Sequence, residues 1–363
     1  MRFLRRARQV LGQKSPFRWA PNWLRARWAE LRKTERITSR PYALMVEPTN
    51  LCNLKCPTCP TGAGTLKRAQ GMMDMGKYRA LLDEVGDGVL DLTLHNYGEP
   101  FLHPHLAEMC RLAAAKGITV HVSTNGHFFT DRAQVREILT SGLSHLKVCL
   151  DGASQQSMEV YRVGSSFEKV KEGIRLVVEE KRALGRSLPV IDLQFILMRH
   201  NEHGLDAMRA LAQGLGVDVF DIKTVGIDDD DPDFAKLAEK YLPRDADKRR
   251  YELTPDGARL KAQVTKCNWI YRTAVINWDG SMVPCCHDTH DKHVFGNAFL
   301  DGGVTAVWQG AKYTSFRKAL KTSIRQMPLC KYCPEVEGFD SLYRGEEKMP
   351  GPPSLTPPPV KVE

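Results

Sequence analysis

The chain has 363 residues, 42% of them hydrophobic, with 52 Lys and Arg against 43 Asp and Glu, a formal net charge of +9. That length can bury a sizeable core and suggests two domains, and no run of about 18 apolar residues is present to form a membrane-spanning helix. The charge is local: residues 1–40 hold twelve Lys and Arg against two Glu, which leaves the other 323 residues at −1, so the basicity belongs to one segment and is not a field over the whole protein.

Residues 1–40 interleave arginines with Phe17, Trp19, Trp23, Leu24, Trp28 and Leu31. The spacing predicts a helix from Pro21 with an aromatic face. The preferred expectation is a surface helix whose tryptophans pack on the fold while its arginines meet water. The alternative is an interfacial helix on anionic lipid, or an arm for another anionic partner. No apolar h-region precedes it, so no signal peptide is expected.

From residue 41 a strand–helix rhythm begins. Strand-like runs fall at 42–47, 89–95, 118–123, 145–150, 190–197 and 217–225, and helical patterns near 74–86, 104–116, 131–141, 166–184 and 203–214. Such alternation implies βαβ units on a parallel sheet, an α/β fold. Residues 226–250, with the acidic run 228–231, read as a linker or lid. Residues 346–363 are rich in proline and are expected to be a disordered tail. The expected units are therefore a basic helical segment (1–40), a barrel (41–240), a cysteine-bearing domain (241–345) and the tail.

Ten cysteines come in metal-type groups within a large chain, which points away from disulfides and toward a reducing cytoplasm. Cys52, Cys56 and Cys59 are spaced C-x3-C-x2-C in a Pro- and Asn-rich loop directly after the first strand. Three close thiolates suit a soft metal centre with one coordination site open. Further on, Cys267, Cys285, Cys330 and Cys333 supply four more ligands, enough for a complete cluster or a structural zinc. Cys286 is left over: either it replaces Cys285 as the ligand or it is simply buried.

The cysteine loop resembles that of radical S-adenosylmethionine (SAM) enzymes. That resemblance implies a partial (β/α)6 barrel, a [4Fe–4S] cluster on Cys52, Cys56 and Cys59, and SAM chelated at the open iron and cleaved by one electron to a 5′-deoxyadenosyl radical. It assigns SAM contacts to the strand ends. Gly98 and Glu99 resemble a G-G-E-P motif, with Tyr97 in place of its first glycine. Ser123, Thr124 and Asn125 end the third strand; Cys149 stands where relatives have serine; Arg162 matches an arginine that pairs with the SAM carboxylate. An aromatic residue before the third cysteine is missing, Thr58 being there instead.

The rear cysteines, with Gly280 five residues before Cys285, are similar to the SPASM domain. Their number resembles its shortened, one-cluster Twitch form, with a spacing similar to that of a radical SAM aminocyclitol dehydrogenase. The implied reaction is dehydrogenation of an alcohol on a sugar, cyclitol or similar small molecule, with the second cluster accepting an electron. The electron donor is expected to be a flavodoxin or ferredoxin. The alternative is a peptide-modifying enzyme or epimerase, with Cys149 or Cys286 returning hydrogen. From another class, a zinc protein binding nucleic acid through the basic arm is the reading not preferred, and no nucleic acid is expected. His95, Arg199 and His200 lie near strand ends as base candidates, with nothing to choose among them.

Overall fold

The computed structural model describes residues 16–227, 231, 233–249, 251–254, 257–260, 266–331, 333 and 345–349. Six strands follow one another in the expected rhythm: β1 (Ala43–Val46), β2 (Asp91–Thr93), β3 (Thr119–Thr124), β4 (His145–Cys149), β5 (Val190–Leu197) and β6 (Val219–Thr224). Each pairs in parallel with the next. The connecting helices are α2 (Met75–Val85), α3 (Leu106–Ala115), α4 (Arg132–Thr140), α5 (Phe167–Ala183) and α6 (Leu205–Leu215), after an N-terminal α1 (Pro16–Arg32). Short polar side chains start them: Asp74, Asp131 and Ser166 each accept the backbone N–H three residues on, filling an otherwise orphan donor.

The strands alternate strictly. Leu44, Leu92, Val120, Val122, Leu146, Val148, Ile191, Leu193 and Phe220 are buried against the helices and form the main core. The opposite face carries Met45, Thr93, His95, His121, Ser123, His145, Lys147, Cys149, Asp192, Gln194, Asp221 and Lys223, as the strand registers place them. A parallel sheet packed on both faces reads as continuous apolar runs. Here one face is polar, because it lines the hollow of a partial barrel.

The sheet does not stop at six strands. β7 (Thr273–Ile276) pairs in parallel with β1, β8 (Ser281–Val283) antiparallel with β7, and β9 (Gly296–Asn297) antiparallel with β8. One ten-stranded sheet thus runs from the C-terminal cysteine region into the barrel. At its other edge β10 (Gly345–Lys348) pairs antiparallel with β6, and Arg209 grips Glu347 with nitrogen–oxygen distances of 2.7 and 2.9 Å. The expected disorder from residue 346 is therefore corrected for 346–348, where the chain covers an open sheet edge. The tail beyond residue 349 and the acidic run at 228–230 lie outside the described residues.

The segment after β6 is no loose linker. A helix at Phe234–Tyr241 packs Tyr241 and Leu242 into a second apolar cluster with Leu54, Cys56 and Tyr161. The N-terminal helix starts five residues earlier than expected and is turned differently. It buries Asn22, Ala26, Ala29 and Glu30, while Trp28 is 59% exposed. The preferred expectation of tryptophans packed inward is corrected at Trp28; Trp19 and Trp23 are half-buried.

Candidate functional site

The loop after β1 is held from several sides. Glu47, fully buried, receives both terminal nitrogens of Arg68 at 2.6 Å. Asn50 donates to the Ala69 carbonyl and accepts from the Gly71 N–H (2.7 and 3.0 Å). The Leu51 carbonyl takes the Glu99 N–H at 2.7 Å, and the Lys55 N–H reaches the Val163 carbonyl at 3.0 Å. Cys56 is buried and Cys52 and Cys59 are half-buried. No disulfide joins any of the ten cysteines.

Burial pushes the Cys52 and Cys56 thiols up, Cys56 to about 12, and the neighbouring thiols push the same way while Arg162 pulls them down. A pocket that penalises thiolates this strongly needs a cation to bind them. The three sulfurs lie close enough to act on one another, yet among the described residues no three His, Cys, Asp or Glu converge on a single ion. Three thiols brought together on one loop are the soft donor set that an iron–sulfur cluster takes.

The predicted strand-end residues surround this loop. Gly98 has φ +82, and a Cβ there would lie 2.4 Å from the Thr49 carbonyl oxygen, so only glycine lets the β2 turn dock on the cysteine loop. Glu99 accepts from the Asn125 N–H (2.7 Å), the Thr124 hydroxyl (2.8 Å) and the Phe101 N–H (3.0 Å). Its carboxyl is raised by burial, with those hydrogen bonds opposing. In this structure it ties β2 to β3. Asn125 donates to Asn53 in the cysteine loop at 2.8 Å. The Arg162 Nε donates to Asp151 at 2.6 Å; the thiols of Cys149 and Cys56 also act on that cation. Cys149 is met by the Ser123 hydroxyl at 3.5 Å and by the Gln194 amide at 3.4 Å. Thr58 binds the Tyr161 hydroxyl at 3.0 Å, a structural use for the position that lacks an aromatic ring.

Below this ring the hollow is charged. The Lys147 ammonium lies 2.8 Å from Asp192 and also contacts Asp221, and His145 is 3.1 Å from Asp192. Burial works against the Lys147 charge, but the two carboxylates outweigh it and raise its pKa. Burial likewise opposes the Asp192 charge, yet His145 and Lys147 hold that carboxyl below the usual range. His95 accepts the Ser123 N–H on Nδ1 at 3.1 Å. Burial and then Lys223 lower its pKa to about 3. It is therefore a neutral ring with its proton on Nε2, a donor and not a base. Arg199 donates to the Leu242 carbonyl and His200 packs edge-on against Tyr241, so both pack with the 234–242 segment.

The rear cysteines also assemble. Cys285 is raised by burial, then by Cys286, Cys333 and Cys267; Cys330 is raised by burial to about 12, then by Cys267 and Cys333. Gly280, at φ +92, turns the β7–β8 hairpin that delivers Cys285. Arg68, which the sequence did not single out, and Tyr97, noted there only as a departure from a motif, join the halves. Arg68 donates to the Thr289 carbonyl and lies 3.7 Å from Asp291. The Tyr97 hydroxyl donates to the Cys286 carbonyl at 3.0 Å and meets the Thr289 hydroxyl at 2.6 Å. The residue that replaces the motif's first glycine thus reaches the second cysteine group. Arg68 lies in a stretch without periodicity, so no sequence signal marked it. Lys147, Asp192 and Asp221 were detectable as charges inside strand-like runs.

Residues 46–191 match the family model described as the radical SAM superfamily, and residues 267–334 match that of the SPASM iron–sulfur cluster-binding domain. Together they span more than half of the chain. The chain is similar to a tungsten-containing aldehyde ferredoxin oxidoreductase cofactor-modifying protein of Pyrococcus furiosus, 24% identical over 323 residues, 80% of this chain and 86% of that protein. It is similar to the mycofactocin maturase MftC of Mycobacterium ulcerans, 26% identical over 292 residues, 75% of each. Among solved structures, BtrN in complex with AdoMet and 2-DOIA has a TM-score of 0.50 at 20% identity, covering 84% of this chain and 98% of that one. SuiB of Streptococcus suis bound to S-adenosylmethionine has a TM-score of 0.59 at 14% identity, covering 87% and 79%. These two share the fold.

Proposed function

Because the chain belongs to the radical SAM superfamily and carries a SPASM iron–sulfur domain, we propose that it is a dehydrogenase of an alcohol carbon on a sugar, cyclitol or similar small molecule. Its cofactors are S-adenosylmethionine and two iron–sulfur clusters. In this reading Cys52, Cys56 and Cys59 hold the first [4Fe–4S] cluster, and Cys267, Cys285, Cys330 and Cys333 the second. Bound there, these groups supply a 5′-deoxyadenosyl radical that takes a hydrogen atom from the alcohol carbon, and an acceptor for the electron lost as the ketone forms. The reductant is a flavodoxin- or ferredoxin-type donor, in a reducing cytoplasm.

The observation that carries this reading is the polar barrel hollow, with Lys147 held between Asp192 and Asp221. An apolar substrate would offer nothing to the remaining donor and acceptor sites of this charged lining. A polyhydroxylated one answers them with its own hydroxyls. Lys147 and the His95 Nε2–H donate to substrate oxygens. Asp221, beside Gln194 in register, takes the hydroxyl proton. Arg162, oriented by Asp151, would pair with the carboxylate of SAM. The Tyr241 cluster behind the cysteine loop keeps water from that side.

A second reading is a peptide-modifying enzyme or epimerase. It is favoured by Cys149 facing the hollow within hydrogen-bond reach of Ser123 and Gln194, and by relatives named mycofactocin maturase and PqqA peptide cyclase. The test is anaerobic turnover in deuterated water with a panel of polyols and short peptides, following 5′-deoxyadenosine and product mass. The dehydrogenase reading expects one 5′-deoxyadenosine per ketone and no deuterium on carbon. Deuterium at a substrate carbon, lost in Cys149→Ser, would overturn it in favour of the epimerase.

A further inference from the structure

The N-terminal helix α1 shows its apolar side to solvent. Phe17, Leu24, Trp28 and Leu31 are 90, 60, 59 and 69% exposed, and Pro21 is exposed among them. Positions 17, 21, 24, 28 and 31 alternate steps of four and three, so they form one stripe along a single side, about 21 Å long at the helical rise. The side turned to the protein holds Asn22, Ala26, Ala29 and Glu30. Trp19 and Trp23, half-buried, lie on that inner side as well, so the helix is apolar on two sides and the protein covers only one of them. The stripe is kept for something else.

Its surroundings are cationic. Arg18, Arg25 and Arg32 recur every seven residues along one edge of the stripe and are exposed, and Arg27 stands on the other edge. Arg32 lies over the Trp28 ring at 4.6 Å. On the arginine edge a cavity of about 410 Å³ is lined by Arg18, Arg25 and Arg40, with Asn22 and Asp87. Asp87, 3.7 Å from Arg18, is the acidic group there, and both side chains are exposed. Residues 1–15 add Arg2, Arg5, Arg6, Arg8 and Lys14 with no acidic residue.

We propose that α1 is an interfacial helix that seats the protein on an anionic phospholipid bilayer, its stripe entering the acyl boundary and a headgroup phosphate entering the Arg18–Arg25–Arg40 cavity. A second copy of the chain fits the face poorly, since each copy brings a net charge of +10 over residues 1–40. Nucleic acid fits it poorly too, because the centre of the face is apolar apart from the Trp28 indole N–H and the arginines stand at its rim. An apolar stripe with basic flanks is what lipid binding asks for. The helix packs on Gly86–Gly88, ahead of β2, and on Trp269–Tyr271, ahead of β7. It therefore sits at the end of the sheet opposite the cysteine loop, and a docked bilayer leaves the mouth of the barrel open. This inference stands apart from the reaction proposed above.

The experiment is sedimentation of the full-length, cluster-loaded protein with vesicles of phosphatidylcholine alone or with about one third phosphatidylglycerol. Partitioning is expected to be at least about tenfold stronger on the anionic vesicles and to fall with added salt. Lipids brominated in the acyl chain should quench tryptophan fluorescence, and less so in W28F. The double variant L24E/W28E should bind about tenfold or more weakly, and R18Q/R25Q about thirtyfold more weakly, each with unchanged circular dichroism because the positions are exposed. Equal binding to both vesicle types, or full binding by L24E/W28E, overturns the proposal. So does a dimer in analytical ultracentrifugation that L24E/W28E abolishes, which assigns the face to a second copy.

Discussion

Asp291 shows how a single half-buried carboxyl is set by its neighbours. Burial raises its pKa to about 6, while Arg68, 3.7 Å away, and the Asn277 amide at 2.8 Å pull it down. A folded-state pKa above the unfolded one means that the stability this group allows is complete below about pH 4 and is lost as the pH rises through 6. Asp291→Asn keeps the Asn277 contact and removes the charge. It should therefore stabilise the protein by about 1 kcal/mol at pH 8 once solvent screening of this half-buried group is allowed for, less at pH 5, and hardly at all at pH 4, read as thermal midpoints across that range. A variant destabilised at pH 8 would mean that the carboxylate's attraction to Arg68 outweighs its burial.

Among the elements, the turn after β2 carries the most consequence for the site. Gly98 brings it against Thr49, Asn50 and Leu51 with no room for a Cβ. Gly98→Ala should part the turn from the cysteine loop, cost about 2 kcal/mol or more in strain and displacement, and lower iron bound at Cys52, Cys56 and Cys59 while leaving the rear cluster loaded. Iron analysis and cluster spectra of the two sites check this; unchanged loading of the front site would count against it. The sequence made the element types plain here, because six strands and five helices each carry their own period, and three of those helices start on a capping side chain. It did not reveal β10, whose run Gly345–Lys348 has no apolar alternation and is held by Arg209 and pairing with β6. Nor did it reveal which side of α1 faces inward, since periodicity gives a stripe and not its direction. The cysteine groups were legible because metal chemistry fixes spacing. The Arg68 and Tyr97 bridges were not, because their partners lie about 220 and about 190 residues away.

At the scale of the molecule, the two cysteine groups share one sheet. β1 leads to Glu47 and the first loop, β7 runs parallel beside it toward Asn277 and Trp278, and the Trp278 N–H also reaches Glu47. Glu47 and Arg68 thus brace the barrel and the SPASM domain against each other at the barrel mouth. The charged hollow lies beneath, and the basic helix is at the far end. This layout asks for two separable clusters on one rigid frame. The direct measurement is iron and sulfide content, with electron paramagnetic resonance of the reduced protein with and without SAM, for the anaerobically purified chain and for C52A/C56A/C59A. The account predicts about eight irons in the wild type, about four in the triple variant, and a SAM-dependent spectral change seen in the wild type alone. A triple variant that keeps all its iron, or that still responds to SAM, would contradict it.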